Sequence, residues 1–386
     1  MSWSTVRADQ FCTLITDGTH DSPKPQQSGW KLITSKHLKG HYIDFDSANW
    51  ISEADYLKVI SRSAVEQWDI LFSMIGTIGN IYLEKNPHVE YACKNMGIFK
   101  FSGNKENALW MYYYLKSPQA KAYIQTHLRG STQAYVPLGG LREMPVPVPP
   151  QSVRNEIIAV LRPIDEKIEC NNAINDNLQQ QAAALFSSLY DRSNTEVRFT
   201  DLIQILGGGT PKTGENTYWN GNIAFFTPKD VGTPYTLITE KTISKEGLSH
   251  CNSRLYPVNT VFVTARGTVG KVGMSGVPMA MNQSCYALVG KETHQLLVYF
   301  YTLKAVDRLK HKASGAVFDA ITTRDFESEQ IMKLSHDDAT AFLRVAEPMF
   351  QEVLNNNIEN LRLSTLRDSL LPKLMSGEID VSAVQL

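Results

Sequence analysis

Amide, basic and hydroxyl side chains fall at matched places in two halves of this sequence, and their types suit nucleic-acid chemistry. Arg and Lys offer donors that match guanine, and Asn and Gln offer the donor–acceptor pair that matches adenine, so both fit base edges in a major groove. Phosphate contacts call for cations, hydroxyls and free backbone N–H groups. The candidates for base edges are Lys94 and Asn95 in the first half, and Asn282 and Gln283 in the second. Lys36 and Lys229 leave equivalent stretches and suit phosphates. Thr77 stands in one glycine-bracketed turn, and Arg266, Thr268 and Lys271 stand in another. Arg129, Ser131, Gln133 and Tyr135 make a polar, aromatic loop. Lys304, Arg308 and Lys312 step by four, which on a helix is one basic stripe. Each of these has a plain structural explanation beside the functional one: a tight turn, a strand-edge cap, a surface loop or a solvated helix face. His20 reads as a lone histidine bonded within its own turn.

Residue sets for covalent chemistry are incomplete. GTVGKVG (267–273) has the wrong spacing for a phosphate-binding GxxxxGK[ST] loop and no following Ser or Thr. No HExxH and no clustered His/Cys set suggests a metal site. VPPQ (148–151) is superficially like the Asn/Asp-Pro-Pro-aromatic loop of amino-methyltransferases. It lacks the amide or carboxylate for the target amine and the aromatic that would stack the base. DEK (165–167) imitates part of a nuclease carboxylate–lysine set, but its place inside a heptad pattern reads as a solvated helix face. The expectation is a chain with no catalytic residue, no metal ligand and no cofactor of its own.

The elements that must position the candidates come in duplicate. LFSMIGTIGN (71–80) and FVTARGTVGK (262–271) share an apolar run, a Gly-Thr-x-Gly turn and an exit. Upstream, ITDGTHDSPKP and WKLITSKHLKG correspond to ILGGGTPKTGENTYW and IAFFTPKDVG. Each is a Gly-Thr loop with Pro-Lys, then a β-type run leaving through a lysine-bearing turn. Downstream, KNMGIFKF (94–101) matches AMNQSCYALV (280–289), pairing Asn95 with Asn282. GSTQAYVPLGGL (130–141) matches GAVFDAITTRDF (315–326). The aromatic runs WMYYYL (110–115) and VYFYTL (298–303) read as core helices under the sheets rather than base-stacking platforms.

A helical pattern follows each copy. RPIDEKIECNNAINDNLQQQAAALFSSLY (162–190) has a 4-3 seam of Ile164, Ile168, Asn171, Asn175, Leu178, Ala182, Leu185 and Leu189. The same steps recur in the second copy at Met349, Val353, Asn356, Asn360, Leu363, Arg367, Leu370 and Leu374. Such a seam with two asparagines at matching depths reads as a coiled-coil pair whose register the polar residues fix. Two surface helices, each packed on its own domain, are the alternative. Pro163 and Pro348 are expected in the first turns. Helices of about 25 residues would span about 38 Å, close to one turn of B-DNA.

The chain has 386 residues, enough for two to three domains, and is 42% hydrophobic and 20% charged. Its formal net charge of −1 argues against a simple nucleic-acid coat, so basic surface must be local or come from partners. The five cysteines (Cys12, Cys93, Cys170, Cys251 and Cys285) are odd in number and far apart, which suggests free thiols in a reducing cytoplasm. No apolar run reaches membrane-spanning length, and MSWSTVRADQF lacks a signal-peptide pattern.

The order head, helix, head, helix resembles the specificity (S) subunit of Type I restriction-modification systems. The DGTH and GGTP openings, the two Gly-Thr-x-Gly segments, VPVPP before the central helix and LLPKLMSGEI near the end carry the resemblance. It implies an α+β protein: two similar α/β target recognition domains separated by two long antiparallel helices forming a coiled coil, with a pseudo-two-fold internal repeat. The domains would be residues 1–148 and 196–334, with a central spacer helix at 149–195 and a C-terminal one at 335–386. It also implies a cytoplasmic protein that binds a bipartite, asymmetric site in double-stranded DNA, one half-site per domain. Methyltransferase (modification) subunits, two of them, and restriction/translocase subunits would be its partners, and S-adenosylmethionine, ATP and Mg would belong to those partners. A coiled-coil adaptor with paired domains and no DNA readout is the alternative. Two features depart from the family pattern: Trp68-Asp69 and Asn259-Thr260 stand where Gly-Asp is common, and VPVPPQSVRNEI has no clear counterpart before the second helix.

Overall fold

A computed structural model describes residues 3–40, 42–232, 234–312 and 320–381. The chain forms two compact units, one from Met1–Glu169 with Arg362–Leu386 and the other from Cys170–Leu361.

In the first unit the apolar runs become buried strands. A four-stranded antiparallel sheet has the order Leu14–Asp17, Met96–Lys100, Ile70–Ser73, Ile81–Leu83. A three-stranded sheet has the order Asn49–Ile51, Trp30–Ile33, Tyr91–Cys93, the last two parallel. Ser4–Arg7 pairs with Pro145–Val148. The helix Lys105–Lys116 buries Trp110, Tyr113 and Tyr114 in the main core, as the aromatic run suggested.

The second unit repeats this plan. Ile203–Gly207, Cys285–Gly290, Val261–Thr264 and Val272–Ser275 recur in the same order, with Tyr235–Thr236 added at the edge. Lys241–Ile243, Trp219–Phe226 and Met279–Met281 form the three-stranded sheet, and Thr195–Arg198 pairs with Gln330–Lys333. Helix Gln295–Lys312 buries Tyr299, Phe300 and Tyr301. The internal repeat is therefore one of topology, strand for strand.

Two details of the expected alignment change. VPVPP does have a counterpart, because Pro145–Val148 and Gln330–Lys333 both close the small sheet at the first strand of their unit. The pairing of Asn95 with Asn282 is one residue out. The Lys94 N–H donates to the Ile33 carbonyl (2.9 Å), and the Asn282 N–H donates to the Phe226 carbonyl (3.0 Å). Lys94 thus corresponds to Asn282, and Asn95 to Gln283. Residues 315–319 of the matched loop lie outside the described residues.

The long helices run Gln151–Asp191 and His336–Ser376, 41 residues each. At 1.5 Å per residue each is about 62 Å long, rather than the 38 Å of the shorter expected segments. Pro163 lies inside the first helix instead of opening it, and Pro348 is interior in the second. An interior proline forfeits one backbone bond; both rings face solvent, and the buried turn Ile157, Ile158 and Leu161 carries the first helix on its N-terminal side. At the far end Gly377, at φ 74°, closes the second helix with its N–H on the Leu374 carbonyl (3.2 Å).

Within the second unit the helices pair antiparallel through the predicted asparagines. Asn171 Nδ2 donates to Asn360 Oδ1 (2.9 Å), and Asn356 Nδ2 donates to Asn175 Oδ1 (2.9 Å). Asn172 and Asn357 extend this ladder at 2.9 and 3.0 Å. Val353 is buried beside it, and Leu178 and Leu185 are half-buried against the same core. In the first unit Leu370 packs on the core, whereas Ile164, Ile168 and Leu363 are only half-buried. Polar contacts take over there. Asp165 is buried, so its solvated-face reading is overturned: Arg367 Nη1 donates to Asp165 Oδ1 (2.7 Å) and Lys116 Nζ to Oδ2 (3.3 Å).

Candidate nucleic-acid interface

The two Gly-Thr turns are the same structure built twice. In the first, the Ser73 N–H bonds to the Asn80 carbonyl (2.8 Å) and the Gly79 N–H to that of Ser73 (3.1 Å). In the second, the Thr264 N–H bonds to the Lys271 carbonyl (3.0 Å) and the Gly270 N–H to that of Thr264 (2.9 Å). Gly76 and Gly267 sit at φ 78° and 83°, a left-handed backbone where other residues are strained. The turns leave Thr77, Arg266, Thr268 and Lys271 exposed. The two departures from Gly-Asp share this geometry: Trp68 and Asn259 are also left-handed, at φ 72° and 68°.

Other candidates gather around each turn. Tyr135 bridges to Ile75, and Arg129 and Tyr135 exchange two backbone hydrogen bonds of 2.8 Å, closing a hairpin with Ser131 and Gln133 at its exposed tip. Asn80 Nδ2 reaches the Leu38 carbonyl (3.4 Å), which brings the loop carrying exposed Lys36 to the turn. In the second unit Arg266 bridges Ala320, and Thr268 Oγ1 donates to the Pro228 carbonyl (3.2 Å) beside Lys229. Lys229 is exposed and 3.5 Å from Glu240.

A second polar group lies where the Gly-Thr loop meets the strand exit. His20 Nδ1 is 2.8 Å from Asn95 Oδ1 and His20 Nε2 is 2.9 Å from Asp17 Oδ2. Lys94 Nζ donates to Ser22 Oγ. In the second unit Thr210 Oγ1 donates to Gln283 Oε1, and Asn282 Oδ1 accepts from the Ser284 N–H (3.0 Å). The close approach depends on glycine: a Cβ on Gly18 would lie 2.3 Å from the Cys93 carbonyl oxygen, and one on Gly208 2.2 Å from that of Asn282. The bond to Asp17 is the local one expected of His20, whereas its contact with Asn95 escapes a sequence reading because the two lie far apart along the chain.

The basic stripe belongs elsewhere. Arg308 and Lys312 pair with Glu329 at 2.8 and 2.5 Å, and Glu329 is fully buried. Lys304 lies over the Tyr190 ring at 5.2 Å. All three cations have partners within the fold, and Arg308 and Lys312 supply the compensating charge that a buried carboxylate needs. Asp69 is similar: burial pushes its carboxyl up, against the pull of Lys100 at 2.8 Å. Burial also raises the Cys285 thiol to about 12, far from a reactive thiolate. Among the described residues no group of three or more His, Cys, Asp or Glu side chains could hold a metal ion, and no helix is long and apolar enough to cross a membrane.

The model of the Type I restriction modification DNA specificity domain matches residues 3–180 and again residues 192–333. The chain belongs to this family. Each match covers one copy of the repeat, and together they take in every candidate for DNA contact above. The Type I restriction enzyme HindI specificity subunit of Haemophilus influenzae is 22% identical over 415 residues, covering 85% of this chain and 90% of that protein. The MjaIX specificity subunit of Methanocaldococcus jannaschii is 22% identical, covering 90% and 86%. Among solved structures, the S subunit of a Type I restriction-modification system from M. genitalium superposes with a TM-score of 0.56 at 14% identity, over 97% of this chain and 96% of that one. That likeness establishes the shared S-subunit fold, with two Type I specificity domains.

Proposed function

We propose that this chain supplies DNA-sequence specificity to a Type I restriction-modification assembly, each unit reading one half of a bipartite asymmetric site. The observation that carries this reading is the doubled site: the same turn, strand exit and tethered amide in both units, with different side chains at the positions that would meet bases. A repeated scaffold with altered letters suits two unlike half-sites. The chain is itself non-catalytic. Methyltransferase subunits, two of them, bring S-adenosylmethionine, and restriction/translocase subunits bring ATP and Mg; the assembly works in the cytoplasm. A formal net charge of −1 fits a subunit that relies on partners for much of its phosphate attraction.

Footprinting of the reconstituted assembly tests this. Two short protected stretches separated by an unprotected gap are expected. A single continuous footprint, or none at any salt concentration, contradicts the reading and favours an adaptor without DNA readout. Calorimetry of the isolated chain with S-adenosylmethionine should give no binding heat.

A further inference from the structure

His20 joins a carboxylate to an amide, and its two ring nitrogens impose a polarity on that amide. Asp17 accepts only, so the Nε2 that lies 2.9 Å from it carries a proton. A neutral imidazole then presents a lone pair at Nδ1, and the Asn95 group 2.8 Å away must donate. The two ends of an amide interchange by a half-turn that moves no heavy-atom position. Asn95 therefore places its NH2 on neutral His20 and turns its carbonyl oxygen outward. A protonated His20 donates from both nitrogens, which reverses the amide and turns the NH2 outward. The backbone holds the amide in place: Asn95 has φ 55°, and its N–H donates to the Thr19 carbonyl (3.1 Å).

We propose that His20, oriented by Asp17, is a positioning residue that determines which atom of Asn95 meets the base. This rests on the DNA-reading function proposed above. With His20 neutral, Asn95 accepts a single hydrogen bond and selects a base carrying an exocyclic amine, adenine through N6 or cytosine through N4. With one atom tied, Asn95 does not make the two-point adenine contact of a free asparagine. Several charges surround the pair. Arg62, on the helix Glu53–Ser63, is 3.6 Å from the other Asp17 oxygen, and Lys58 on that helix pairs with Asp21 at 3.1 Å. Lys94 reaches Ser22 from the strand exit. The second unit differs in kind. Gln283 occupies the equivalent place, but its partner Thr210 has a hydroxyl that can donate or accept, so nothing there fixes the amide's polarity.

Methylome sequencing of a host carrying the full assembly tests the assignment with wild type, His20→Ala and Asn95→Gly. Glycine tolerates the positive φ at 95, and the His20 side chain is 66% exposed, so neither change threatens the core. Wild type should show adenine or cytosine at one position of one half-site. His20→Ala should lower discrimination at that position by about tenfold, leaving the other half-site unchanged, and Asn95→Gly should relax the same position. His20→Asn, whose side-chain oxygen can accept from the same Asn95 NH2, should restore part of that discrimination. An unchanged motif in His20→Ala, no recovery in His20→Asn, or relaxation at a different position from Asn95→Gly overturns the inference. A wild-type assembly with no two-part motif overturns the proposed function instead.

Discussion

Asp165 lies between Lys116 and Arg367 with its side chain 11% exposed. Burial alone raises such a carboxyl, but the two cations outweigh it and hold Asp165 below the usual carboxylate range. A depressed carboxylate stabilises the fold above its unfolded pKa of about 3.9, and the contribution is lost as pH falls through the lower folded value. Asp165→Asn leaves buried Lys116 without its counter-charge and removes one of the two carboxylates on Arg367. It should cost about 3 kcal/mol near neutral pH and flatten the acid limb of Tm against pH, as thermal unfolding across that range would show. The basic residues divide differently. Lys36→Ala and Lys229→Ala should each weaken DNA binding by the assembly irrespective of sequence and lower the salt-dependence slope by about 0.9, measured by anisotropy titrations at several salt concentrations. Arg308→Ala should leave that slope unchanged and lower Tm, since its partner Glu329 is fully buried. Sequence distinguished neither case. The stripe at 304, 308 and 312 has the spacing of a binding face, and only the position of Glu329 shows that two of its members are engaged internally. Asp165 and Arg367 stand on different long helices and meet only once those helices pair.

The paired helices show what periodicity does reveal. The recurrence of Asn171 and Asn175 as Asn356 and Asn360 located the ladder, because unlike apolar contacts a buried amide needs a specific partner. The prolines misplaced the helix starts. Prolines at 163 and 348 read as starts, yet the helices begin earlier, at Gln151 and His336, because buried residues continue the stripe toward each N-terminus. Replacing Asn175 and Asn356 together by Leu should raise Tm and admit other registers. Distances between spin labels on the two helices should broaden into more than one population. A lower Tm with a single sharp distance would contradict the role given to the amides.

At the scale of the whole chain, duplication is the feature that sequence and structure express most fully. The Gly-Thr turn recurs with the same two framing backbone hydrogen bonds, and each copy of the repeat is followed by a helix of the same length. The base-edge register between copies slipped by one residue, since the second copy has two adjacent amides, Asn282 and Gln283, and only the backbone bonds to Ile33 and Phe226 show which of them matches Asn95. Two copies of a reading scaffold in one chain should give a target in two unlike parts. Methylome sequencing of a host with and without the gene measures this most directly. The account predicts a methylated motif of two defined, dissimilar halves around an undefined gap, vanishing on deletion. A contiguous motif, or two identical halves, would contradict it.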